Sequence, residues 1–113
     1  MHRKKIRVAA TVAFLLFGAA AHASSDDAWK QFAADVESKC RKAAAGPLEN
    51  ARAVVDPFGS EHYGLALLTG KPKGAKGTIS FLCVYDKKTK VAEIGSELGK
   101  DLVDVRLPRK TGK

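Results

Sequence analysis

Between positions 29 and 44 apolar residues recur every three or four places. Trp29, Phe32, Ala33, Val36, Cys40, Ala43 and Ala44 form one stripe, while Lys30, Asp35, Glu37, Lys39, Arg41 and Lys42 take the other face. That period predicts an amphipathic helix with one side on a core. Its ends are marked as well. Ser24 or Ser25 can cap the first turn, Asp26 and Asp27 complement its positive end, Arg41 and Lys42 its negative end, and Gly46-Pro47 stops the run.

From residue 51 the period shortens to two. Residues 51–55 are short and β-branched, and Asp56-Pro57-Phe58-Gly59-Ser60 is a turn by composition. A second strand is expected at 62–69, apolar on both faces. Residues 70–77, with Gly70, Gly74 and Gly77 among lysines, read as a loop. The strongest strand is 78–85, where Ile79, Phe81, Cys83 and Tyr85 share a face. Asp86-Lys87-Lys88-Thr89 then returns the chain into 90–94 as a hairpin. Residues 97–100 suit either a helical turn or a loop. Val103, Val105 and Leu107 alternate, which predicts an edge strand at 101–107. The fold expected is α+β: an amino-terminal helix packed on a small antiparallel meander of three to five strands, one domain over 24–107, with a frayed basic tail at 108–113.

The amino terminus has a separate purpose. Arg3, Lys4, Lys5 and Arg7 precede an uncharged run over 8–21, and Ala21-His22-Ala23 follows. A basic stretch, an apolar stretch and small residues at the cleavage positions predict a secretory signal peptide over 1–23, removed after Ala23. As a helix the apolar run reaches only about 21 Å, short of the roughly 30 Å of a bilayer core, so a membrane anchor is the poorer reading. The first cysteine, Cys40, is too distant for lipidation. The expected product is soluble, does not span the membrane after cleavage, and is periplasmic or secreted.

Cleavage changes the charge. The chain has 20 Lys+Arg against 12 Asp+Glu, a formal net charge of +8. Four of those basic residues leave with the leader, so the mature excess is half as large. Its charges are interspersed and its destination is outside the cytoplasm, which argues against nucleic acid as a partner. Lys71, Lys73 and Lys76 in one loop, and Arg106, Arg109, Lys110 and Lys113 near the end, suit either an anionic envelope component or ordinary solubilising charge. With 113 residues, one small core is all the chain can bury, which leaves little room for a large catalytic apparatus.

Export decides the reading of the two cysteines, which pair in an oxidising compartment. A Cys40 to Cys83 disulfide closes a loop of 43 residues, worth about 4 kcal/mol in the chain-entropy model. Cys40 lies on the helix stripe and Cys83 on the aromatic face of the strongest strand. The bond therefore predicts that the helix lies across that face.

In a meander the first and third connections fall at one end. The loop at 57–63 and the turn at 86–90 are thus expected to be neighbours. Phe58, His62 and Tyr63 supply aromatic surface, Ser60 and Glu61 hydrogen bonds, and Lys87, Lys88 and Lys90 cations. Aromatic anchors beside polar groups are what recognition surfaces use. The plainer reading has Phe58 and Tyr63 plugging the end of the sheet and the lysines solvating a turn.

Catalysis is the weaker expectation. Ser60, Glu61 and His62 include a nucleophile, an acid and a base, but consecutive residues of an extended segment point to alternate sides. Nor is the segment a G-x-S-x-G elbow. One mature histidine and two paired cysteines leave too few ligands for a metal, and no cofactor motif is present.

Gly59-Ser60-Glu61-His62-Tyr63 and Tyr85-Asp86-Lys87-Lys88-Thr89-Lys90-Val91 resemble the Ser-Gly-x-x-Tyr loop and Tyr-x-x-x-Thr-Lys-Gly segment of bacterial periplasmic lysozyme inhibitors. The likeness covers about a dozen residues, with the first two transposed and Val91 in place of the glycine. It implies that Ser60 and Tyr63 enter the target's cleft. Three functional expectations stand: a non-catalytic binding module of the bacterial envelope with a protein or anionic partner, a secreted effector of virulence type acting on a host cell, and a lysozyme inhibitor.

Overall fold

The computed structural model describes residues 25–106. The expected leader at 1–23, Ser24, Leu107 and the tail at 108–113 lie outside the described residues. One helix, α1 (Ser25–Ala44), precedes strands β1 (Leu48–Val55), β2 (Tyr63–Pro72), β3 (Ile79–Asp86), β4 (Ala92–Ile94) and β5 (Leu98–Gly99). All pairings are antiparallel in the order β1-β2-β3-β4, and β5 pairs with β3 beyond the end of β4. This is the α+β meander expected from the periodicity. No helix among the described residues is long and apolar enough to cross a membrane.

The helix forms where its sequence marks it. Asp26 and Asp27 occupy its first turn and Arg41 and Lys42 its last. Lys39 pairs with Asp35 at 3.2 Å and Arg41 with Glu37 at 2.9 Å, both one turn apart. Val36, Cys40 and Ala44 are buried against Ala66, Leu68, Ile79, Phe81, Cys83 and Tyr85. The Cys40–Cys83 disulfide, with Cα atoms 5.9 Å apart, clamps the helix to β3 at the middle of that face. Gly64 permits the close approach: a Cβ there would lie 2.6 Å from a Val36 methyl and 3.1 Å from the rings of Phe32 and Tyr85.

Three elements differ from the expectation. β1 starts at Leu48, not 51, because Asn50 adopts a left-handed φ of 52° and the register shifts between Glu49 and Arg52. This bulge lets buried Leu48 and inward Ala51, Ala53 and Val55 share one side although they are out of phase. β2 continues through Gly70, Lys71 and Pro72, read as loop, since Leu48 and Glu49 offer it partners. The edge strand expected at 101–107 is absent from the described part, 101–106. Leu98 and Gly99 take the edge instead, and the amides of Leu102 and Val103 donate to the Gly99 carbonyl, turning the chain off the sheet.

Candidate functional site

The two connections at one end are built alike. Each opens on an aspartate whose carboxylate accepts two amides of its own turn. Asp56 Oδ1 takes the N–H groups of Phe58 and Gly59, both at 3.0 Å, and Asp86 Oδ1 takes those of Lys88 at 2.8 Å and Thr89 at 3.1 Å. The Gly59 and Phe58 amides hold the Asp56 carboxyl below the usual range, and the Thr89 and Lys88 amides do the same for Asp86. Gly59 has a φ of 72°, and a Cβ there would collide with the Tyr63 carbonyl oxygen. Lys90 closes the second turn with a φ of 64°, donating its amide to the Asp86 carbonyl at 2.7 Å.

Lys87 joins the two. Its amide donates to the His62 carbonyl at 3.1 Å, and its Nζ donates to the carbonyls of Phe58 at 3.0 Å and Ser60 at 2.7 Å. The same ammonium lies 5.0 Å from the Phe32 ring centroid and 5.5 Å from that of Trp29. Loop, turn and helix thus meet on one cation. Lys87 is half-buried, and its ammonium is engaged by carbonyls and rings of the structure itself.

Aromatic rings continue from that point. Trp29 packs edge-on against Phe58 at 5.2 Å and Phe32 at 5.6 Å, and Phe32 packs against Tyr85 at 5.8 Å. Of the inner members Tyr85 is buried and Phe32 half-buried. Phe58 stays 56% exposed and Trp29 41%.

The remaining expected residues divide between the two sides of this end. Tyr63 is exposed and pairs with Asp86 across the β2–β3 ladder. Glu61, His62, Tyr63, Asp86, Lys87 and Lys88 line an open recess of about 400 Å³. His62 Nε2 is 3.8 Å from the Glu61 carboxylate, and both side chains stand in solvent. The Ser60 hydroxyl turns to the backbone of Tyr63: it accepts the Tyr63 amide at 3.2 Å and donates to the Tyr63 carbonyl at 3.3 Å. Ser60, Glu61 and His62 therefore do not converge.

Lys90 falls on the helix side. With Ala28, Gln31, Phe32, Asp35, Lys39 and Tyr85 it lines a groove of about 500 Å³. There the Tyr85 hydroxyl donates to Asp35, whose carboxylate also takes Lys39 Nζ at 3.2 Å. Burial first, and the Asp35 carboxylate second, push the Tyr85 phenol up to about 12. The Tyr85 hydrogen bond, with Lys39 beside it, holds Asp35 below the usual carboxylate range. Among the described residues no group of three or more His, Cys, Asp and Glu side chains comes together as a metal site.

All eight expected residues lie at one end, as the meander predicts. Missing from the expectation were Trp29, Asp35 and Tyr85. Trp29 lies on the apolar stripe and reads as core, yet a signal was available in lengths. A helix of 20 residues spans about 30 Å, longer than the roughly 26 Å of the 8-residue strands β1 and β3, which leaves room for one end of α1 to reach the connections at an end of the sheet. The chain matches no protein-family model, and no curated protein or solved structure matches it significantly.

Proposed function

We propose that this protein is an exported, non-catalytic binding module that recognises a protein partner through the end of the sheet carrying the 57–63 loop and the 86–90 turn. The observation that carries this reading is the Trp29–Phe58 pair. Two large rings in edge contact at 5.2 Å remain substantially exposed, Trp29 near the start of α1 and Phe58 on a loop braced by the Asp56 cap and by Lys87. A preorganised aromatic pair loses little conformational entropy on binding, and such anchors dominate interface energetics. Lys88 and Lys90 at the margin suit an acidic patch on the partner.

The reading is tested by capture from the envelope fraction with the wild-type protein and with Phe58→Ala, Trp29→Ala and Lys88→Ala. A partner lost from Phe58→Ala and Trp29→Ala while melting stays within a few degrees supports it. Loss of stability alone, with capture intact in the folded fraction, sinks it. Cell fractionation separates an envelope role from a released effector, and a lytic assay with micromolar protein against several lysozymes decides whether the Ser60 and Tyr63 resemblance has functional meaning.

A further inference from the structure

β4 is an edge strand of the sheet. The Val91 carbonyl accepts the Asp86 amide at 2.9 Å, the Gly95 amide donates to the Leu82 carbonyl at 2.9 Å, and Glu93 stands opposite Val84 between them. In an antiparallel ladder these alternate residues turn their polar groups toward β3, so the N–H and C=O groups of Ala92 and Ile94 point off the sheet. No hydrogen bond among the described residues takes them up. Their side chains pack on the core beneath α1, and Glu93 is exposed on the opposite face. The helix flank beside this edge is basic. Lys39, Lys42 and Ala43 with Lys90, Val91 and Ala92 line an open groove of about 320 Å³, which meets the Tyr85 groove at Lys39 and Lys90. Asp35 is occupied by Tyr85 and Lys39, while Lys42 and Lys90 form no ion pair among the described residues. Lys90 also holds a left-handed φ of 64°, where glycine would carry no strain.

We propose that the β4 edge takes an extended, acidic segment of the protein partner as an added strand, with carboxylates at every second position facing Lys39, Lys42 and Lys90. With the protein read as a protein-binding module, on which this rests, the edge adds the form of the segment bound. Main-chain hydrogen bonds to Ala92 and Ile94 supply the pairing, and the lysines select the side chains. Acid is favoured on one face of the added strand only, because Glu93 stands on the other and repels a carboxylate there. The opposite edge, β1, differs. There Arg41 donates to the Ala51 carbonyl and pairs with Glu37 at 2.9 Å, so its charge is already matched, and the bulge at Asn50 interrupts the strand. β4 is three residues long, so few bonds hold the added strand and the affinity is weak.

Amide NMR titration of the purified protein with the peptide acetyl-Thr-Glu-Val-Glu-Val-Glu-Thr-amide tests this. Saturable shifts centred on the Ala92 and Ile94 amides, with slower exchange of both, are expected. Lys42→Glu and Lys90→Gly should each weaken binding by about threefold or more. Glycine suits a φ of 64°, so the melting of Lys90→Gly should hold or rise while its binding falls. Ala92→Pro removes one outward amide without touching the ladder and should also weaken binding. Lys73→Glu, exposed in the loop after β2, should leave it unchanged. No binding, or shifts centred on β1, overturns the proposal. So does equal binding by the same peptide N-methylated at every backbone amide, which keeps the charge and cannot pair as a strand; the flank would then attract anions of any form. Binding indifferent to Lys42→Glu and Lys90→Gly overturns the acidic choice. A failed titration leaves capture through Phe58 and Trp29 to stand or fall by its own experiment.

Discussion

The ammonium of Lys87 sits 2.7 Å from the carbonyl oxygen of Ser60, tying the third connection of the meander to the first across 27 residues of chain. The Phe58 carbonyl and the Trp29 and Phe32 rings share that cation. Replacing Lys87 with Met keeps most of the stem and removes the charge. The expected cost is about 1 kcal/mol, which lowers the melting midpoint of a domain this size by about 5 °C. Lys88→Met makes no such contact and should melt as wild type. Equal midpoints for the two variants would show that Lys87 holds nothing together.

The disulfide joins the helix to the sheet at Cys40 and Cys83 and closes 43 residues. Replacing both cysteines by Ala should cost about 4 kcal/mol. For a domain of this size that is a large share of total stability, so the variant should unfold at a much lower denaturant concentration. Urea titrations of the two proteins check it, and reductant should bring the wild type to the same midpoint.

Gly64 sets the distance between layers. An added Cβ would stand 2.6 Å from a Val36 methyl, in a place also bounded by Phe32 and Tyr85. Gly64→Ala should therefore cost about 1–3 kcal/mol by overpacking. Gly74→Ala, where a Cβ meets nothing within 4 Å, isolates the strain of a φ of 75° without a clash. Thermal melts should rank Gly64→Ala as the more damaging.

The framework was legible because its elements carry unmixed periods. The stripe through Val36, Cys40 and Ala44 and the alternation through Ile79, Phe81, Cys83 and Tyr85 each admit one secondary structure, and one disulfide orients them. The meander order then brought Phe58 and Lys87 to one end. What escaped was set by tertiary geometry. No local pattern shows that Asn50 turns left-handed and carries β1 back to Leu48, or that Gly99 takes the edge from 101–106. Nor does a stripe reveal which connections its end reaches. Lys87 and Lys88 are adjacent and chemically identical, and only the fold turns one inward and the other outward.

Acid should loosen the end that carries the candidate site. Amides of Phe58 and Gly59 hold Asp56 below its ordinary value, and those of Lys88 and Thr89 hold Asp86 below its own. A carboxyl depressed in the folded state adds stability that is present above its unfolded value of about 3.9 and is lost as pH falls through the folded one. Stability should thus be flat from neutral pH down to about pH 4 and decline below it. Asn keeps the acceptor oxygen without the titration, so Asp56→Asn and Asp86→Asn should flatten the decline. Denaturant midpoints between pH 2 and pH 7 measure it, and an unchanged slope in both variants would place the acid sensitivity elsewhere.

At the alkaline limit the sign reverses. Tyr85 is pushed up to about 12, chiefly by burial and then by donating to Asp35. A phenol raised above its ordinary value of about 10 contributes stability that is complete below pH 10 and disappears as pH climbs toward 12. Ultraviolet titration at 295 nm should show one tyrosine ionising near 12, in step with unfolding. Asp35→Asn removes the neighbouring negative charge and leaves the burial, so the Tyr85 transition should move down only part of the way. Tyr85→Phe should abolish it and free the Asp35 carboxylate. A transition that returns fully to the ordinary value in Asp35→Asn would reverse the order of causes, making the carboxylate, and not burial, the main hold on this phenol.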